Sequence, residues 1–244
     1  MRILLTVSYD GTDFCGYQIQ PNGRTVEEVI NLAIEKLTGE KVKSVASGRT
    51  DSGVHALSQK VHFDTSSTIP PEKFSNALNP LLPCDVKVIK SQRVADTFNA
   101  RYSAKNKTYR YSFFVGQMEE PLETRYKTLL PSMPDIALMK DGAKLIEGEH
   151  DFKCFLASGS SVKDTVRTVY SIKIVRKGRY LDIFVKGNGF LYNMVRMIAG
   201  ALVAVGEKRL SLAELEQVIL TGDRQNKIKT MPAKGLTLFS VIYK

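Results

Sequence analysis

Residues 3–9 have a β-rich composition and end at Asp10-Gly11, which predicts a strand closed by a turn. Val26, Val29, Ile30, Ala33, Ile34 and Leu37 fall on one helical face, and Thr25 and Glu28 stand at capping-box spacing before them. That helix stops near Gly39. Residues 41–46 and 59–63 read as strands. Pro70-Pro71-Glu72 opens a second helix that runs to about Leu78. Alternation continues over 86–94 and over 108–115, where Tyr109, Tyr111 and Phe113 share one side. Residues 116–134 hold Pro121, Pro131 and Pro134 with little periodicity and read as an irregular insert. Pro134 suits the start of a helix to Ile146. Residues 165–175 and 180–185, joined by Arg176-Lys177-Gly178-Arg179, form a hairpin pattern. An apolar helix is expected over 191–205, then one opened by Ser211 and Glu214 that ends at Gly222, then a strand over 236–243.

Each half runs strand, helix, strands, helix, strand in loose outline. Hairpins mixed with helices predict an α+β protein with largely antiparallel sheets. The expected halves are 1–102 and 103–244, the second interrupted by the insert.

The chain has 244 residues, enough for one large domain or two small ones. Its formal net charge of +10 and pI near 9.4 favour a polyanionic partner, most often nucleic acid. Cys15, Cys84 and Cys154 lie far apart and form no metal-ligand spacing with His55, His62 or His150, which fits a reducing, cytoplasmic setting. The first residues read as a strand rather than a signal peptide. The most apolar stretch, 190–205, is shorter than a membrane span and carries Asn193 and Arg196.

Chemistry concentrates in Ser47-Gly48-Arg49-Thr50-Asp51-Ser52-Gly53-Val54-His55-Ala56, a polar loop between two expected strands. In extended backbone Arg49 and Asp51 point to the same side. Arg196 is the single charge in 190–205. There it either snorkels to water or pairs with an anion, and Asp51 is the leading candidate for that anion. Such a pair keeps a carboxylate ionised and oriented, as a nucleophile or base requires. Tyr109 stands among Arg101, Lys105, Lys107 and Arg110, a pattern suited to an unstacked base beside phosphates. Further basic groups lie at Lys173, Arg176, Lys177, Arg179 and Lys186, and at Lys227, Lys229 and Lys234. The chain lacks a phosphate loop, a dinucleotide fingerprint, HExxH, Gly-x-Ser-x-Gly and the zinc-deaminase pattern. The residues alone leave three readings: cofactor-free chemistry on RNA, a non-catalytic RNA-binding protein, and a hydrolase with Asp51 as nucleophile.

Gly48 to Ala56 resembles the active-site motif of the TruA family of tRNA pseudouridine synthases. Tyr9 to Gln20 is similar to its opening segment, and Phe98 to Ala104 with Tyr109-Arg110-Tyr111 to its substrate-tyrosine region. Gly189 to Arg196 resembles the motif bearing the aspartate's basic partner, and Pro232 to Leu238 the closing motif. Tyr17 and Met231 depart from the family's common Trp and Ala. The resemblance implies a pseudouridine-synthase fold of two similar halves flanking a basic cleft. It implies isomerisation of uridine in the anticodon stem-loop of tRNA, around positions 38 to 40, by a homodimer with no cofactor and no metal. By position it makes Asp51 the catalytic aspartate and Arg196 its salt-bridge partner. It makes Tyr109 the tyrosine that meets the base, and Arg49 the arginine that helps expel the target nucleotide.

Overall fold

A computed structural model describes residues 1–157, 162–223 and 228–243, so Lys227 lies outside the described residues. Along the chain run β1 (Arg2–Tyr9), α1 (Val26–Thr38), β2 (Val45–Ala46), β3 (His55–Asp64), α2 (Phe74–Leu78), β4 (Val86–Val94) and β5 (Asn106–Val115). They are followed by β6 (Thr128–Leu130), α3 (Ile136–Ile146), β7 (Gly148–Asp151), β8 (Val166–Lys177) and β9 (Tyr180–Gly187), then α4 (Met194–Gly206), α5 (Leu212–Thr221) and β10 (Leu236–Ile242). The architecture is α+β with mostly antiparallel pairing.

The chain divides into two compact units, Met1–Lys105 with Thr237–Lys244, and Asn106–Leu236. The break therefore falls three residues after the expected one, and the closing strand joins the first unit rather than the second. Its parallel register with β3, Thr237 opposite His55 and Leu238 opposite Ala56, is a long-range pairing with no local signature.

In the first unit β1 is central, antiparallel to β3 and β4. Ile3, Leu5 and Val7 of β1 are fully buried on the face that carries the helices. Phe63 of β3 meets Phe74 of α2 edge to face at 5.6 Å. In the second unit β9 lies between β5 and β8, with β7 on the outer side of β8. Tyr111, Phe113, Leu181 and Ile183 are buried there with nearly every residue of α4.

Several local expectations differ from the structure. Thr25 forms no side-chain cap, because the first amides of α1 are already used: Val26 N–H reaches Gly16 O at 3.3 Å and Glu27 N–H reaches Tyr17 O at 2.9 Å. Of the strand expected at 41–46 only Val45 and Ala46 pair, while β3 starts earlier than expected, at His55. The insert contains β6, a three-residue parallel partner of β5 that is too short to show a period. Helix α4 begins at Met194 rather than Leu191, because Asn193 takes the left-handed conformation at φ 61°. Gly148–Asp151 and the 3-10 turn Phe152–Phe155 were not expected at all.

The Ser211–Glu214 capping box forms in full, with Ser211 N–H donating to Glu214 Oε2 at 2.8 Å and Glu214 N–H to Ser211 Oγ at 3.2 Å. Ser211→Ala is expected to lower stability by about 1 kcal/mol in chemical denaturation, because it leaves the Glu214 amide without its acceptor.

Candidate active site

Asp51 sits in the loop between β2 and β3, half-buried, between an exposed Arg49 and a buried Thr50 on one side and the Ser52-Gly53 turn on the other. The loop is held from several directions. Thr50 Oγ1 shares a 2.7 Å hydrogen bond with Tyr9 Oη at the end of β1. Tyr17 N–H donates to Thr50 O at 3.0 Å, and Ser52 Oγ donates to Phe14 O at 3.1 Å. Gln59 of β3 closes the base, accepting from Ser47 Oγ at 2.6 Å and donating to Gly48 O at 2.8 Å. Val54 N–H returns to Asp51 O at 3.1 Å and closes the turn.

The clamp explains the polar-and-glycine opening segment. A Cβ on Gly11 would stand 2.0 Å from Val54 O, and Gly11 N–H donates to His55 Nδ1 at 3.0 Å. Gly16, at φ +94°, leaves only 2.9 Å between a would-be Cβ and Thr50 O. Two stretches of backbone touch there with no room for a side chain. Burial drives the Tyr9 phenol far above its ordinary range, so Tyr9 acts as a neutral hydrogen-bonding group.

The second unit holds the other two site residues on one face of its sheet. Tyr109, on β5, is 9% exposed and meets Phe190 edge to face at 5.3 Å. Phe190 belongs to the segment that leads into α4, where Arg196 lies in the first turn. Arg196 is half-buried, donating Nε to Met231 O and a terminal NH to Asn193 Oδ1, both at 2.6 Å. Both acceptors are neutral, so these two bonds hold the guanidinium in place without cancelling its charge. Tyr111, two residues from Tyr109 on the same side of β5, donates to Pro232 O at 2.7 Å and so anchors the closing segment that carries Met231. Burial raises the Tyr111 phenol strongly, and the nearby Arg196 charge lowers it only in part.

Arg49 and Asp51 thus share one loop of the first unit, while Tyr109 on β5 and Arg196 on α4 both lie in the second. Sequence reasoning missed the supporting residues Tyr9, Gln59, Tyr111 and Asn193. The segments that resemble the family include Tyr9, Tyr111 and Asn193 but gave them no role, and Gln59 had no signal at all. Among the described residues no His, Cys, Asp and Glu cluster is placed to hold a metal ion. Burial pushes the Cys154 thiol up to about 12, so it is not a thiolate at neutral pH. No described helix is long and apolar enough to cross a membrane.

The family described as tRNA pseudouridine synthase matches residues 5–103 and 143–244. Tyr109 falls between the two matched stretches. The chain is 43% identical over 245 residues to tRNA pseudouridine synthase A of Bacillus licheniformis, covering 100% of this chain and 99% of that one. It is 44% identical to tRNA pseudouridine synthase A of Lysinibacillus sphaericus, covering 99% of each. The chain belongs to the tRNA pseudouridine synthase family.

Proposed function

We propose that this protein isomerises uridine to pseudouridine in the anticodon stem-loop of tRNA, around positions 38 to 40, with Asp51 as the catalytic carboxylate. The uridine-to-pseudouridine activity follows from family membership. The observation that carries the assignment to Asp51 is the loop itself: a half-buried carboxylate between strands, with Thr50, Ser52 and Gln59 each tied to a neighbouring segment.

The reaction breaks the bond from the ribose C1′ to uracil N1 and forms one from C1′ to C5. A proton leaves C5 and one is gained at N1, so the mass of the RNA does not change and no electrons are gained or lost. Asp51 acts on the target nucleotide while Arg196 supplies the positive charge that the resemblance pairs with it. Arg49, exposed beside Asp51, takes the place of the nucleotide leaving the stack or grips its phosphate. Tyr109 presents its ring to the extruded uracil, whose release from the stack costs a few kcal/mol. Holding the detached uracil close makes its rejoining effectively unimolecular. The first unit then carries the catalytic loop and the second the base-binding tyrosine and the arginine. The working form is a cytoplasmic homodimer, to be checked by its mass in solution with and without tRNA.

The +10 charge makes phosphate contacts the main source of affinity. Binding to unmodified tRNA is expected to weaken about a hundredfold between 50 and 200 mM salt, which corresponds to about four phosphate contacts. A filter-binding titration checks this, and an affinity that is flat with salt contradicts it.

A further inference from the structure

The helices of the first unit cover one face of the β4–β1–β3 sheet, and the other face is only partly covered. On that second face Leu4 and His62 lie opposite each other and are buried beneath residues 98–100. Ala100 N–H donates to His62 Nδ1 at 3.1 Å, Tyr243 Oη donates to Ala100 O at 2.9 Å, and Phe98 packs on Tyr243 at 4.8 Å. One row further along, the cover ends. There Thr6 of β1 stands between Lys60 of β3 and Lys90 of β4 in register. The two lysines sit on strands about 10 Å apart.

Lys60 is half-buried, and its ammonium donates to Thr6 Oγ1 at 2.7 Å. Burial first, and Lys90 second, hold it below the usual lysine range, with no carboxylate acting on it. The acids at the far end of this face are already engaged or adjacent to a cation. Asp64 takes both oxygens to Arg2, and Asp96 lies in the field of the same arginine.

The segment that covers the Leu4 and His62 row runs on into a turn closed by its own hydrogen bonds. Asn99 Oδ1 accepts from the amides of Arg101 and Tyr102 at 2.9 and 3.1 Å, and Ser103 Oγ accepts from Asn99 N–H at 3.1 Å. This turn presents Tyr102 at 79% exposure, with the Arg101 guanidinium 5.6 Å from the ring centroid. An aromatic ring held out by a closed turn, next to cations, suits stacking on an unpaired base. A second copy of the chain would bring the same cations against one another, whereas an RNA strand supplies the missing anions and the base.

We infer that Lys60, Lys90, Arg101 and Tyr102 form an RNA-strand contact surface on the open face of the first unit's sheet, which grips the tRNA outside the isomerised nucleotide. Lys60 lies five residues along β3 from His55, roughly 16 Å from the end of the Asp51 loop. The surface therefore acts on binding and not on the reacting atoms. The inference rests on the reading of tRNA as substrate.

The test compares wild type, Lys60→Gln/Lys90→Gln and Tyr102→Ala in pseudouridine formation on a full tRNA transcript and in tRNA binding over a salt series. The double variant is expected to raise KM about tenfold, leave kcat within about twofold, and make the slope of log affinity against log salt shallower by roughly 1.5 to 2. Tyr102→Ala, at an exposed position that folding does not need, is expected to raise KM about tenfold with the salt slope unchanged. If wild type modifies the tRNA while both variants keep its KM and its slope, the surface is refuted and the substrate reading stands. If wild type forms no pseudouridine in any tRNA transcript, the substrate reading fails and takes this surface with it.

Discussion

Asp51→Asn is expected to abolish pseudouridine formation, with a loss of at least about four orders of magnitude in kcat, while tRNA affinity stays within a few-fold of wild type. The amide has the size of the carboxylate and keeps one acceptor oxygen, so the turn closed by Val54 N–H on Asp51 O, a backbone bond, persists. What is lost is a charged oxygen able to attack or to take a proton. Binding rests on phosphate contacts made by other residues and is largely spared. Pseudouridine content after exhaustive digestion, set beside a binding titration, reads both effects. A tRNA fully modified by the variant would remove Asp51 from the chemistry.

Gly11→Ala is the second large effect. The new methyl would have to occupy space 2.0 Å from Val54 O, and since that neighbour is backbone, neither side yields by rotating a side chain. The cost is expected to be about 3 kcal/mol, an overpacking penalty, which for a chain of this size lowers Tm by roughly 6–12 °C. Activity should fall further than stability explains, because Val54 and Asp51 close the same turn. Gly39→Ala is the matched control. Gly39 takes a left-handed conformation, at φ +75°, which Gly11 does not, and nothing lies within 4 Å of its would-be Cβ. It should cost about 1 kcal/mol and leave kcat unchanged. Equal losses of activity in the two variants, measured below both melting transitions, would show that the Gly11 contact does not position the loop.

The legible parts of this fold were those written locally. Strand β1 shows its composition and its turn, and α5 shows Ser211 and Glu214 at the spacing that the structure uses. What failed was decided at long range. Thr25 has the same capping signature as Ser211, yet the carbonyls of Gly16 and Tyr17 reach the amides of α1 first. Strand β10 looks like any terminal strand, and only the tertiary fold sets it parallel to β3. Arg196 was expected to snorkel or to find an anion. Within its own unit it donates to a backbone carbonyl and to Asn193, whose left-handed backbone no periodicity reveals. The Asp51 loop stood out in the sequence because cation, hydroxyl and carboxylate fall between glycines. Its support did not, because Tyr9 lies 41 residues from its partner Thr50.

Tritium release from C5-labelled uridine in an unmodified tRNA transcript is the first measurement to make on Asp51. Forming the bond from C1′ to C5 expels that hydrogen, so wild type should release tritium and Asp51→Asn should release none while still binding the transcript. Equal release by both proteins would remove Asp51 from the chemistry, and none by wild type on a transcript it binds would remove the isomerisation itself.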